Sequence, residues 1–229
     1  LTAAQRAERL KALPEDDRKW LEDYVEPIIL PEEKDLFLQL TEPHQRETFR
    51  EEFWQRREKP GLAEPLGPGY RSRYEGLRDL AIHTYGGVLS DTGRIVVRRG
   101  EPLSVREFPN CDEVFRYVTV WTYRTVSSSG SMQGETSFLF YRSSIGAPLR
   151  LWYPGVAEKE LLYPASCAPT AAIACAMASN PAAATCGEFA AARTCQQACE
   201  VAALVQNAKT AGAAAVAALS EPPKVDLED

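Results

Sequence analysis

The sequence predicts an α+β protein with N-terminal helices, a small antiparallel β-meander and a C-terminal, disulfide-stapled, alanine-rich helical hairpin. Apolar residues recur at helical spacing over residues 2–57, alternate over residues 114–126, and give way to alanine beyond Pro164. A helix repeats its faces every three to four residues and a strand every two, so these patterns distinguish the two elements. We therefore divide the chain into three regions: an N-terminal helical region at 1–60, an α+β core with antiparallel strands at 61–160, and an alanine-rich, cysteine-containing tail at 161–229.

The helical region carries repeated helix-start signals. Pro14 precedes three acidic residues and Pro31 precedes two, an arrangement that suits the positive end of a helix dipole. A third helix is predicted to begin near Pro43. The proline- and glycine-rich segment 60–69 predicts a loop, and the apolar spacing after it predicts a helix over 70–81.

Four segments of the core predict strands. Residues 94–98 are rich in β-branched side chains, and residues 114–126 alternate over a long stretch. Residues 137–141 and 149–153 supply two shorter strands. Short connections between the later strands favour an antiparallel meander.

The tail from Pro164 to Ser220 is dominated by alanine, which favours helix and disfavours strand. Asn180-Pro181 interrupts this region. The interruption predicts two helical arms, at about 170–179 and 185–207, that fold back on each other as a hairpin.

Charge and hydropathy narrow the classes of function. The 229 residues carry a formal charge of -6, which argues against a protein that binds nucleic acid by neutralising phosphates. The sequence contains no run of about 18 apolar residues, so no membrane-spanning helix is predicted. Because Leu1 is neither a methionine nor the start of a leader, we expect a signal peptide to have been removed.

The chain has six cysteines and only two histidines. This balance favours disulfides in an oxidising compartment over a zinc site; buried free thiols are the alternative. Symmetry about Asn180-Pro181 suggests a ladder in the tail, with one more bridge to the core. The predicted pairs are Cys175 with Cys186, Cys167 with Cys195, and Cys111 with Cys199.

Several short motifs occur in a recognisable order. The segment Phe53-Trp54-Gln55-Arg56-Arg57 ends a helix, and a glycine-proline loop and a Tyr-Arg helix follow it. Gly87-Val88-Leu89-Ser90-Asp91 then precedes Thr92-Gly93-Arg94-Ile95, and Val120-Trp121-Thr122-Tyr123 comes later. In this order, over about residues 15–155, the chain resembles the bacterial GWxTD domain family.

Two positions depart from the pattern of that family, since its motif tryptophan is Val88 here and its threonine is Ser90. Serine can still form a local turn hydrogen bond, whereas valine removes a large aromatic anchor. The resemblance implies an extracytoplasmic bacterial protein from a family without an assigned activity. It does not cover the tail.

Candidate catalytic groups are sparse. The only histidines are His44 and His83, and His83 could pair with Asp91 beside Ser90 or Cys111, but no nucleophile motif accompanies them. Paired acids suit solvated helix faces better than acid–base catalysis; they are Asp16-Asp17, Glu32-Glu33, Glu51-Glu52 and Asp112-Glu113.

Two further groups suggest binding. Arg94, Arg98 and Arg99 could hold an anion, although charge that protects an edge strand is the stronger interpretation. The aromatic residues Tyr117, Trp121 and Tyr123 could form a carbohydrate platform, although packing in the core is more common.

These observations favour a non-enzymatic interaction module, an accessory or structural subunit of an extracytoplasmic or envelope-associated assembly. Its partners would be other protein subunits, bound through the tail and through residues such as Trp54, Arg56, Arg57 and Trp121, and such partners could associate it with a membrane. No cofactor, metal or nucleic acid is expected. The alternatives are an enzyme that acts on an envelope polymer through Asp91, Arg94 and Glu101, and a domain that binds carbohydrate or another ligand.

Overall fold

The computed structural model describes residues 1–62, 66–108, 114–126, 132–163, 170–179, 197–211 and 222. The chain forms two compact units. The first comprises Leu1–Leu89, Gly93–Gly100 and Ala218–Asp229, and the second comprises Ser90–Thr92 and Glu101–Ala217. The described part contains eight α-helices and one four-stranded antiparallel sheet, which confirms the predicted α+β class.

The first unit is helical. Thr2 caps its first helix through a capping box, since its hydroxyl accepts from the Gln5 amide and the Gln5 side chain accepts from the Thr2 amide. Proline stands at the cap of α2 and at the first position of α3 and α4, as the sequence predicted. The helices are α1 Ala3–Ala12, α2 Glu15–Lys19 with a π-helical turn at Trp20–Tyr24, α3 Pro31–Phe37, α4 Pro43–Glu58, α5 Tyr70–Thr84 and α6 Asp91–Arg99, which begins in the second unit.

Aromatic side chains fill the core of this unit. The Trp20 ring lies 5.0 Å from Phe37 and 5.4 Å, edge on, from Phe53. The Trp54 ring packs at a tilted angle against the rings of Tyr70, at 6.3 Å, and Tyr74, at 5.5 Å. Rings at these separations stabilise a core beyond the area that they bury, and they join α2, α3, α4 and α5 around one centre.

The second unit is built on the sheet, whose order is β1-β2-β3-β4. The central pairing places Trp121 opposite Phe138 and Thr119 opposite Phe140. The meander that the alternating segment predicted is thus confirmed, although β2 begins later than expected, and Phe115 forms only an isolated bridge with Leu162. The strands are β1 Ser104–Glu107, β2 Val118–Val126, β3 Met132–Tyr141 and β4 Arg150–Trp152.

Two tail helices, α7 Ala171–Ser179 and α8 Ala198–Thr210, belong to the second unit. They contact each other, and α8 also contacts β3. Small side chains such as Ala174 and Ala198 are fully buried in the same apolar cluster as Leu139 and Trp152. The predicted alanine-rich hairpin is therefore present, and alanine allows its helices to approach closely.

The strand predicted at 94–98 is wrong, because these residues form most of α6. Asp91 lies in the first turn of the helix and Arg98 and Arg99 in the last, so the charges complement the helix dipole at both ends. The β-branched residues at 95–97 are all buried. Their burial on several sides of one helix outweighs their intrinsic preference for strands.

The disulfide pairing differs from the prediction. Cys175 of α7 is bonded to Cys199 of α8, so the predicted pairs of Cys175 with Cys186 and of Cys111 with Cys199 are wrong. Cys199 lies in the first turn of α8, and the packing of α8 against α7 places it next to Cys175. The third predicted pair, Cys167 with Cys195, lies outside the described residues.

Candidate functional site

A cleft in the first unit gathers charged side chains from three helices. Its basic residues are Arg6 of α1, Lys34 of α3, and Arg94 and Arg98 of α6, while Glu26 and Asp35 supply carboxylates. Ile29, Pro31 and Pro222 add apolar surface. This basic cleft encloses about 370 Å³, a volume that fits a small organic ligand.

The helix that was predicted as a strand forms one wall of the basic cleft. Arg94 and Arg98 are four residues apart, so α6 presents both on one face. On a strand they would also share a face, but the helix brings them within one turn of each other. The arginine cluster that suggested anion binding is therefore partly assembled, whereas Arg99 is exposed and does not line the cleft.

Two of the four cations are held by the two carboxylates. Arg94 Nη2 donates to Glu26 Oε1 at 2.8 Å. Arg6 binds both carboxylate oxygens of Asp35: its Nε donates to Oδ1, and its Nη2 donates to Oδ2 at 2.8 Å. The Arg6 guanidinium lowers the pKa of Asp35 well below its ordinary value, chiefly through this hydrogen bonding.

Arg98 is the most buried of the four cations, with 8% of its surface exposed. Its Nε donates to the carbonyl oxygen of Pro27 at 2.6 Å. Burial, and secondarily the like charge of Arg94, lower the pKa of Arg98 to about 10. The fold therefore keeps the Arg98 guanidinium in a buried environment that disfavours its charged form.

The second unit presents a different surface, the open edge of its sheet. Among the described strands β1 has a neighbour on one side only, and its four residues are all exposed. Val105 and the adjoining Leu103 are half-exposed, at 51% and 49%. This strand was not predicted from the sequence, although the two-residue spacing of Leu103 and Val105 is typical of a strand.

The residues considered for catalysis do not come together as a site. Both His44 and His83 are exposed. The Asp91 carboxylate accepts a hydrogen bond from the Leu151 backbone amide at 2.8 Å, so it fixes the start of α6 to β4. The Ser90 hydroxyl lies 3.3 Å from that of Thr92. Cys111 lies outside the described residues.

Among the described residues, the paired acids either form ion pairs or are exposed to solvent. Asp17 forms ion pairs with Arg46 and Arg50, and Glu33 is buried against Arg57. Asp16 and the acids at 32 and 51–52 are exposed. The pair at 112–113 lies outside the described residues.

The residues proposed to contact partners are largely inside the protein. Trp54 and Trp121 are buried, and the Trp121 ring packs 4.7 Å from Phe140. Arg57 is fully buried, and Arg56 keeps only part of its side chain at the surface. These four side chains therefore do not offer a docking surface, because core packing already occupies them.

The carbohydrate platform is not formed either. Tyr123 and Trp121 are both buried, and Tyr123 packs edge on against Phe138 at 5.6 Å. Tyr117 is half-buried, and its hydroxyl donates to Glu107. A platform for sugars needs exposed ring faces, which this arrangement lacks.

The residues of the motif region act locally. Gly87 has a φ of 101°, a left-handed conformation that favours glycine, and its amide donates to the Ala81 carbonyl at the end of α5. Val88 is buried in the aromatic core, while Gly93 is buried within α6. The segment thus turns the chain between the two helices.

In the part of the chain that the structure describes, no group of three or more metal-ligating side chains is found. A search of the same residues finds no helix with the length and apolar character required to span a bilayer. No known protein family, curated protein or solved structure matches the chain. The resemblance to the GWxTD domain family therefore stays a prediction.

Proposed function

We propose that this chain is a non-enzymatic interaction module, an accessory subunit of an extracytoplasmic assembly whose partner adds an extended strand along β1. The observation that supports this most strongly is the position of β1 at one edge of the described sheet, where it pairs with β2 alone among the described strands and every residue of Ser104–Glu107 is exposed. Strand addition uses the backbone groups of such an edge for affinity and the alternate side chains for specificity.

The side chains of β1 favour recognition over protection. Proteins commonly guard an edge with charges and short strands, and Arg106 and Glu107 are consistent with that. Leu103 and Val105, however, place two half-exposed apolar groups at alternate positions beside the same edge. An extended segment with apolar residues two apart would cover them.

The tail contacts the edge strand β1. Arg106 of β1 forms an ion pair with Glu200 of α8, and Cys175–Cys199 ties α8 to α7. The hairpin thereby contacts the strand at this edge, which is consistent with a role of the tail in binding partners. A disulfide also favours the periplasm or the cell surface, where thiols are oxidised. Membership of the GWxTD domain family belongs to the same proposal.

Site-specific photo-crosslinking tests the proposal. A photoreactive phenylalanine analogue replaces Leu103 in one variant and Ile145, which is 98% exposed on another loop of the same unit, in a matched control. In the native envelope fraction we expect a crosslinked partner from position 103 and none from position 145. Equal crosslinking at both positions, no crosslinking, or a product that contains only a second copy of this chain would contradict the proposal.

A further inference from the structure

The disulfide between Cys175 and Cys199 lies at the surface of the second unit. Cys199 is exposed and Cys175 is half-buried, so a molecule in solution can approach the bond from the side of Cys199. Exposed disulfides exchange with external thiols more readily than enclosed ones do. The Cys199 sulfur is therefore the accessible end of this bond.

The surroundings of the two sulfurs differ. Cys199 is the second residue of α8, where the positive end of the helix dipole stabilises a thiolate, whereas Cys175 lies in the middle of α7. The Ser179 hydroxyl lies 3.3 Å from Cys199 Sγ, and it is the donor because a disulfide sulfur carries no hydrogen. The same hydroxyl can donate to a thiolate at Cys199, so reduction would leave the negative charge there.

A basic side chain offsets the acid beside Cys199. Glu200 follows Cys199 in the chain and would repel both a thiolate at Cys199 and an approaching thiolate. Arg106 of β1 forms an ion pair with Glu200, which reduces this repulsion. The start of α8 therefore remains accessible to a negatively charged sulfur.

The two tail helices have a packed interface besides the disulfide. Ala174 of α7 and Ala198, Val201 and Val205 of α8 are buried in one apolar cluster. Because burial of these side chains does not depend on the sulfurs, α7 and α8 can stay packed when the bond opens. Exchange can thus take place in the folded protein.

We infer that Cys175–Cys199 is a thiol–disulfide exchange site whose substrate is a thiol and whose attacked sulfur belongs to Cys199. A substrate thiolate forms a bond to Cys199 Sγ while the bond to Cys175 breaks, and Cys175 Sγ leaves with the electron pair and takes up a proton. A second substrate thiolate then attacks the substrate sulfur of the mixed disulfide, and Cys199 leaves as a thiolate.

The electrons of this exchange balance. Two substrate thiols lose two electrons and become a disulfide, while the disulfide of the protein gains them and becomes two thiols. The exchange does not use the strand partner proposed at β1, so each of the two proposals can fail without the other.

Two single variants of the full chain compare the sulfurs after each has lost the same bond. Cys175→Ser leaves Cys199 as a thiol, and Cys199→Ser leaves Cys175. Oxidised glutathione forms the same mixed disulfide in the reverse direction. At pH 7, peptide mass mapping should show that Cys199 forms it at least about tenfold faster than Cys175. Equal rates, or a faster reaction at Cys175, would overturn the inference.

Reduction of the parent chain gives a second test, which does not require a variant to fold. In dithiothreitol the Cys175–Cys199 bond should open while circular dichroism still reports the folded chain. The rate of opening should change by less than about twofold in urea below the unfolding transition, because the bond is already accessible. Protection of the bond until urea unfolds the chain would identify an inert structural disulfide and overturn the inference.

Substitution of Ser179 tests the stabilised thiolate. In the Cys175→Ser chain, Ser179→Ala should slow the reaction of Cys199 with oxidised glutathione by about threefold or more, because the thiolate loses a hydrogen-bond donor. Ser144→Ala removes a hydroxyl at an exposed position of the same unit and should leave the rate unchanged. Equal rates in these two variants would count against the inference.

Discussion

Glu33 and Arg57 form a bidentate ion pair that is completely buried in the first unit. Arg57 Nη1 donates to Glu33 Oε1 at 2.9 Å, and Nη2 donates to Oε2 at 2.6 Å. The same guanidinium donates to the carbonyl oxygens of Ile28 and Phe53, and the Leu30 amide donates to Glu33. The pair therefore links α3, α4 and the segment that precedes α3.

Arg57→Met should lower the free energy of unfolding by about 3–5 kcal/mol, because the buried Glu33 charge loses its bidentate partner and keeps only the longer contact with Arg56 Nη2 at 3.5 Å. Urea denaturation monitored by tryptophan fluorescence measures the change. The double variant Glu33→Leu/Arg57→Met should recover much of the loss, since no buried charge then remains.

An exposed ion pair provides the control for this prediction. Lys19 and Glu15 are i,i+4 partners with about two-thirds of each side chain exposed. Lys19→Met should leave the denaturation midpoint unchanged within error. A similar loss in Lys19→Met and Arg57→Met would show that burial is not the cause.

Asp91→Ala should lower the free energy of unfolding by about 1–2 kcal/mol, because the Leu151 amide loses a charged acceptor. Thermal unfolding by circular dichroism measures it, with Asp79→Ala at an exposed position of α5 as the matched control. Unchanged stability in Asp91→Ala, together with loss of a hydrolytic activity, would instead support the alternative of an enzyme that acts on an envelope polymer.

Non-reducing peptide mapping should recover Cys175 and Cys199 in one crosslinked species. Recovery of Cys175 with Cys186 would contradict the structure and restore the predicted ladder. The double variant Cys175→Ala/Cys199→Ala should be less stable by about 3 kcal/mol, because the bond closes a loop with a sequence separation of 24.

The buried Tyr70 makes the free energy of unfolding of the first unit depend on pH in the alkaline range. Burial raises the pKa of Tyr70 to about 12 from its ordinary value of 10.0. The unfolded chain therefore releases this proton near pH 10 and the folded chain near pH 12, so the free energy of unfolding falls as the pH rises through that interval.

Tyr70→Phe should remove part of this fall. At pH 7 the variant should be at least as stable as the parent protein, because the buried Tyr70 hydroxyl makes no hydrogen bond with the described residues. Urea denaturation at pH 7 and pH 11 measures the difference between the two proteins. If the parent protein and Tyr70→Phe lose the same free energy of unfolding between pH 7 and pH 11, the pH dependence does not come from Tyr70.

Elements with a sustained pattern could be predicted from the sequence. The helices at 43–58 and 70–84 and the strand at 118–126 combine clear periodicity with turn residues at their ends. Residues 94–98 misled the prediction because burial at Ile95, Val96 and Val97 overrode strand propensity. Local patterns could not reveal that burial.

The candidate site was harder to predict than the fold. Arg94 and Arg98 could be identified as a basic cluster, but Arg6 and Lys34 join them only through tertiary packing of α1 and α3. The prediction of the disulfide pairing failed for the same reason, since the Cys175–Cys199 bond depends on the packing of α7 against α8. Sequence spacing fixes neighbours within an element and not between elements.

Affinity capture with variants of the sheet edge tests the central claim most directly. Leu103→Lys/Val105→Lys adds charge at two half-exposed positions of the sheet edge, and Ile82→Lys/Ile145→Lys adds the same charge at exposed apolar positions outside both β1 and the tail. Both variants should fold, which circular dichroism checks. We predict that the β1 variant retains less than about one-tenth of the partner that the parent chain captures, and that the control variant retains nearly all of it. Equal retention by the two variants would contradict the claim that the partner binds at the edge of the sheet.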